Sequence, residues 1–97
     1  MPVRPLQRQQ IIVKPGRVNE TVELLQEMWK LVDPIPHRIY RGITGPFDTV
    51  YQDIEFEDFE HREKWWADTG PKIAPFMDKW HALSETGGSV ELLRLVE

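Results

Sequence analysis

His37, Arg41, Gln9 and Gln52 are the residues of this chain whose types and placement could do chemistry together. A histidine can act as general base near neutral pH. An arginine can hold a carboxylate or an enolate-like anion through two parallel hydrogen bonds. Alternation puts all four on one face of three strand-like runs: Gln9 on the first, His37 and Arg41 on the second, and Gln52 on the third. Trp29, Trp66 and Trp80 project toward that layer from helix-like segments and would wall it. An apolar cavity with a few convergent polar groups is what a small-molecule site requires. The expectation is therefore that His37 and Arg41 reach one ligand and serve as catalytic residues. Gln9, Gln52, Trp29, Trp66 and Trp80 would bind it. The competing reading is structural, with His37 in water at a strand end, Arg41 extending past the sheet edge and the tryptophans in core or interface.

Other chemistries find little support. His61 and His81 fall on polar or edge positions of their helices, and no His-x-x-x-His or acidic cluster has ligand spacing, so no metal site is expected. Ser84 and Ser89 lack a nucleophile-elbow context. There is no cysteine, hence no disulfide and no thiolate chemistry. Loss of Met1 would free a prolyl amine at Pro2, the base that tautomerases use. Those proteins begin their first strand at that proline, whereas here a further lead-in through Pro5 intervenes. No cofactor is implied.

The elements that must position these residues follow from periodicity. A first strand is expected from Leu6 to Lys14, closed by Pro15-Gly16. A helix follows over Arg17 to Val32, with Val18, Val22, Leu25, Trp29 and Val32 recurring at spacings of four and three. Leu24, Met28 and Leu31 widen its stripe beyond what one sheet needs, so part of it should meet the second helix or a partner. Asp33-Pro34-Ile35-Pro36 stops it. Two alternating runs, His37 to Thr44 and Thr49 to Glu57, flank Gly45-Pro46-Phe47-Asp48 and read as a hairpin. With a four-residue loop, Ile43 opposes Val50, Arg41 opposes Gln52, Ile39 opposes Ile54 and His37 opposes Phe56. On the reverse face Gly42 meets Tyr51, Tyr40 meets Asp53 and Arg38 meets Glu55.

Asp58 is the expected N-cap of the second helix, which Gly70-Pro71 should interrupt before a further helical segment carrying Ile73, Phe76, Met77, Trp80 and Leu83. Trp65 and Trp66 diverge by ~100° on a helix, which makes Trp65 the candidate for a pocket rim or subunit contact. After Gly87-Gly88, Ser89 to Val96 forms a last strand with apolar residues on both faces, as expected of a strand buried on both sides. The other sheet face would carry Arg8, Arg38, Tyr40, Tyr51, Asp53, Glu55 and Arg94, a charge-compensated network of structural role.

Composition bounds the rest. At 97 residues, with 40% hydrophobic and 29% charged residues, the chain reads as one soluble domain spanning 1–97. Net charge is −4 without a basic block, which argues against nucleic acid. No apolar run approaches the ~18 residues of a membrane span, and the start lacks the apolar stretch of a signal peptide. A cytoplasmic location is the simpler expectation.

The order strand-helix-strand-strand-helix-strand, with both helices on one face, is the ferredoxin-like α+β plait, βαββαβ. The chain also resembles the dimeric α/β-barrel superfamily, and most its NIPSNAP-like branch. The resemblance lies in the strand-Pro15-Gly16-Arg17-helix opening, the Gly45-Pro46-Phe47-Asp48-Thr49-Val50 turn, and Glu57-Asp58-Phe59-Glu60-His61-Arg62-Glu63 at the start of the second helix. It implies a homodimer in which the bare sheet faces pack together. Relatives of that architecture include cofactor-free monooxygenases, haem-degrading enzymes, lactone isomerases and proteins without assigned chemistry. The expected function is binding of a small, partly apolar molecule between sheet and helices, with cofactor-free oxygenation or isomerisation as the chemistry. The alternative is a non-enzymatic binding or assembly module.

Overall fold

The computed structural model describes residues 4–45, 47–94 and 96. Pro2 with its amine, Pro46 of the expected turn and Leu95 of the expected last strand lie outside them. β1 (Pro5–Ile12) alternates as expected: Gln7 and Ile11 are buried while Arg8 is exposed. Continuous pairing ends at Ile12, and Val13 adds one bridge to Ser84. Gly16 turns the chain at φ 78°, where a side chain would be strained. α1 (Val18–Trp29) then buries Val18, Thr21, Leu24, Leu25 and Met28. It ends three residues before the expected Val32, because Lys30 and Leu31 N–H donate to the carbonyls of Glu27 and Met28 and tighten the last turn. The wide stripe is explained: Leu24 and Met28 pack on Leu83 of the second helical region, while Leu31 stays exposed.

β2 (His37–Arg41) and β3 (Thr49–Glu55) form the hairpin in a different register from the expected one. His37 opposes Ile54, Arg38 opposes Asp53, Ile39 opposes Gln52, Tyr40 opposes Tyr51 and Arg41 opposes Val50. The shift is two residues, so every side chain keeps its expected face while its partner changes. Its cause is a longer loop. Gly42 N–H donates to Thr49 O as the last rung, and Gly45 and Asp48 adopt φ of 91° and 53°. The Asp48 carbonyl is meanwhile held by Val13 N–H at 2.8 Å.

α2 (Phe59–Ile73) is capped as expected, with Asp58 Oδ1 accepting from His61 N–H at 2.7 Å. Asp58→Ala is expected to cost about 1 kcal/mol, readable as a lowered urea midpoint at unchanged m-value. Contrary to expectation, Gly70-Pro71 does not interrupt the helix. Pro71 sits two residues before the helix end and forgoes the bond its N–H would make to Ala67 O, while Ala74 N–H still reaches Gly70 O and carries the helix to Ile73. The break comes later, as a 3₁₀ turn over Ala74–Phe76 before α3 (Met77–Leu83).

β4 (Ser89–Arg94) pairs with β1, giving the antiparallel order β2-β3-β1-β4 of a ferredoxin-like α+β plait. β4 is therefore an edge strand. All six of its residues are exposed in the single chain, against the expected two-sided burial, because the helices cover the inner strands and not this one. The register places Arg94 opposite Pro5, so it lies on the helix side and not in the charged network. On the open face the pairings align Arg38, Asp53, Arg8 and Glu91 in one row across all four strands. Arg8 grips Asp53 with Nε and Nη2, both at 2.9 Å. That hydrogen bond, and then the charge of the carboxylate, raise the Arg8 pKa above its ordinary value.

Candidate functional site

On the helix-covered face, pairing aligns His37, Ile54, Gln7 and Leu92 in one row and Ile39, Gln52, Gln9 and Val90 in the next. The inner strands thus place glutamines beneath the helices, where a carboxamide is costly unless bonded. Each finds partners. Trp29 Nε1–H from α1 donates to Gln52 Oε1 at 2.7 Å, and Gln52 Nε2 donates to Gln9 Oε1 at 3.2 Å. Gln7 Oε1 accepts from Trp66 Nε1 at 3.1 Å and from Arg62 Nε at 3.0 Å, both from α2. Indole and guanidinium nitrogens can only donate, so they fix which way each amide faces.

Between these groups lies a partly open cavity of about 40 Å³ lined by Trp29, Gln52, Trp65, Trp66, Thr69 and Ile73, with Leu25 and Met28 of α1 beside them. Thr69 is buried, and its hydroxyl has no hydrogen-bond partner among the described residues. The volume accommodates a few waters or one substituent, well below the ~300–1,000 Å³ of a pocket that encloses a drug-sized ligand.

The residues expected to form one site separate into three places. Gln52, Trp29 and Trp66 surround the cavity, and Gln9 joins them through Gln52. His37 stacks on Trp29, with centroids 3.6 Å apart and planes 1° from parallel, and does not line the cavity. Its Nδ1 lies 2.8 Å from Ile35 O. A carbonyl only accepts, so Nδ1 carries the proton and Nε2 is the nitrogen free for base chemistry. Arg41 is exposed and donates to Asn19 Oδ1 at 2.8 Å, in a groove that also holds Glu23. His37 and Arg41 are the two ends of β2, about 13 Å apart, with Ile39 between them, so they do not converge on one space. Trp80 and Gln9 line a different recess, beside β4.

Trp65, expected at a rim, is core: it is buried, donates through Nε1 to Asp33 O at 3.1 Å, and meets Trp29, Trp66 and Phe56 ring to ring. Gln7, Arg62 and Thr69 were not anticipated. Gln7 could have been, since it shares the alternation of Gln9 and Ile11. Arg62 and Thr69 carry no comparable signal in a polar helix. Among the described residues no group of three or more His, Asp or Glu is placed to hold a metal, and no helix is long and apolar enough to cross a membrane.

No protein-family model matches the chain, and no curated protein matches it. Solved structures do. An uncharacterised NIPSNAP domain protein from Burkholderia xenovorans is similar at a TM-score of 0.77 and 14% identity, over 92% of this chain and 91% of its own. A NIPSNAP family protein from Agrobacterium tumefaciens strain C58 is similar at 0.82 and 12% identity, over 100% and 90%. A structure described as an antibiotic biosynthesis monooxygenase is similar at 0.68 and 16% identity, over 96% and 99%. The chain thus has the ferredoxin-like fold found in NIPSNAP family proteins, in line with the resemblance read from its motifs. At such identities the likeness establishes fold and not activity.

Proposed function

We propose that two copies of this chain pack their open sheet faces together, and that each binds a small, partly apolar molecule at the Trp29–Gln52–Trp66 cavity. The observation that carries the binding reading is the set of buried glutamines, Gln7 and Gln52, bonded to indoles that line the cavity. Core packing alone would be served as well by aliphatic side chains, without the desolvation of two carboxamides. Such bonds hold aromatic walls in fixed orientations, as preorganised recognition requires. Half-buried Trp66 is the wall that would have to move for a whole ligand to enter.

As an enzyme, the chain would act without a tightly bound cofactor, as an oxygenase or isomerase of an activated carbonyl or phenol. The monooxygenase of like fold supports that choice by analogy only. His37 Nε2 would be the base, which requires the Trp29–Gln52 hydrogen bond to open and the stacked indole to shift, and Arg41, tied to Asn19, would take no part. A second reading, a non-enzymatic assembly module, is favoured by the small cavity volume.

One titration separates the two. 1-Naphthol should quench tryptophan fluorescence saturably, and Gln52→Leu should abolish saturation while the protein sediments unchanged. Quenching that stays linear in 1-naphthol up to its solubility leaves the assembly reading. Light scattering at micromolar concentration should return twice the 11.5 kDa chain mass, and a clean monomer removes the sheet-to-sheet dimer.

A further inference from the structure

We propose that the recess between α3 and β4 is a second binding site, for a neutral molecule with a carbonyl-type hydrogen-bond acceptor, and that Gln9 recognises it. The recess has a volume of about 200 Å³, five times that of the cavity under the helices. Gln9, Ile11, Trp80, Ser84, Glu85 and Val90 line it. It exists because β4 leaves β1 here. Pairing ends at Gln10 with Ser89, and the chain rejoins β1 only where Glu85 N–H meets Ile12 O. The intervening turn runs so close that a Cβ on Gly88 would stand 2.5 Å from Gln10 O, so the spacing is held by backbone.

Three polar groups line this space without protein partners. Ser84 Oγ is buried and makes no hydrogen bond. Trp80 Nε1 has no partner among the described residues. The third is the end of a directional relay. Trp29 can only donate, so Gln52 must present Oε1 to it and Nε2 to Gln9. Gln9 must then accept through Oε1, which leaves its NH₂ group as the unused end, unpartnered among the described residues. Of the three, Ser84 Oγ is the buried group that is normally satisfied, while the Gln9 amide and the Trp80 indole are on half-buried side chains and keep their donors for whatever enters the recess.

The groups on offer choose the occupant. Two of the three, the Gln9 amide and the Trp80 indole, are donors, and the serine hydroxyl can donate as well. An acceptor is called for. Among the described residues Glu85 is the one ionisable group lining the recess, so an anion meets like charge there, while a cation meets donors. Ile11, Val90 and the Trp80 ring supply an apolar body for the rest of the molecule. A neutral amide or ketone on an aromatic ring, of the size of benzamide, satisfies all of these. This site stands on its own geometry and does not require the cavity under the helices to bind anything.

The test is a titration of the ¹⁵N-labelled full chain with benzamide, benzoate and toluene. Benzamide should shift the Gln9 side-chain NH₂, the Trp80 indole N–H and the Ser84 amide together, with a dissociation constant of about 1 mM or lower. Benzoate and toluene should bind at least tenfold more weakly. Gln9→Glu keeps the acceptor for Gln52 but replaces the free donor with an acceptor, and should weaken benzamide at least tenfold. Ser84→Ala removes a hydroxyl that bonds to nothing, so it should fold as the parent does and weaken benzamide by a smaller factor. The proposal is overturned if benzamide fails to bind up to its solubility or shifts residues elsewhere. It is equally overturned if benzoate or toluene matches benzamide, or if both variants bind benzamide as the parent does.

Discussion

Replacing Trp65 by alanine is expected to cost about 3–5 kcal/mol of folding stability, the largest loss for any single side chain under the helices. The indole is 6% exposed. It lies 4.8 Å from the Trp66 ring, 5.3 Å from Trp29 and 5.8 Å from Phe56, centroid to centroid. Truncation would merge its volume with the existing cavity and leave the Asp33 carbonyl without its donor. Domains have only about 5–15 kcal/mol in total, so the variant should be marginally folded at room temperature. Trp65→Phe keeps most of the apolar contact and loses the N–H, which should cost about 1–2 kcal/mol. Urea unfolding at constant m-value reads both. A Trp65→Ala variant within 1 kcal/mol of the parent by that measurement would mean the indole sits at the surface.

Why a rim position was expected for Trp65 shows what periodicity leaves out. Adjacent helical residues do point apart, and the two indoles meet edge to face, 82° from parallel. Trp65 is nonetheless enclosed and Trp66 half-buried, because the segment after α1 folds over Trp65 and supplies the Asp33 carbonyl. That wall is a loop, and no period in α2 announces it. The hairpin shows a related limit. Alternation fixes the face of each side chain, and every residue of β2 and β3 lies on the face expected of it. It is blind to a shift of two, which preserves all faces; only the loop conformation at Gly45 and Asp48 sets the register. β4 fails for a third reason. Its apolar residues on both faces resemble a central strand, yet the order β2-β3-β1-β4 puts it at an edge. The candidate site was legible by face, through Gln9, Gln52, Trp29 and Trp66. Its division was not, because which stretch of β2 a helix covers depends on where α1 begins and ends.

Asp53→Lys is expected to weaken self-association by about 100-fold or more, since like charges across an interface cost several kcal/mol. The row Arg38, Asp53, Arg8, Glu91 alternates in sign across the open face. A two-fold contact brings one patch against its own copy, and an alternating row can be matched to itself with unlike charges facing. Leu6 and Leu93 share that face and would add apolar area. Lysine at position 53 turns the first three members of the row positive, so the alignment that overlaps the whole of both rows now sets that lysine of one copy against Arg8 of the other. The Arg8–Asp53 pair also breaks within the chain. Arg8 is about half exposed, so water can solvate the freed guanidinium, but position 53 is 6% exposed, so the lysine must carry its ammonium past Arg8 and Arg38 to reach water and the chain itself also loses stability. Asp53→Asn is the matched control: it keeps an acceptor for Arg8, removes the charge and should weaken the dimer by a smaller factor. Sedimentation velocity across a concentration series measures all three proteins, with circular dichroism reporting the fold. A folded Asp53→Lys chain that dimerises as tightly as the parent would place self-association on some other surface. The edge strand β4, with Val90 and Leu92 uncovered, would then be the face to examine.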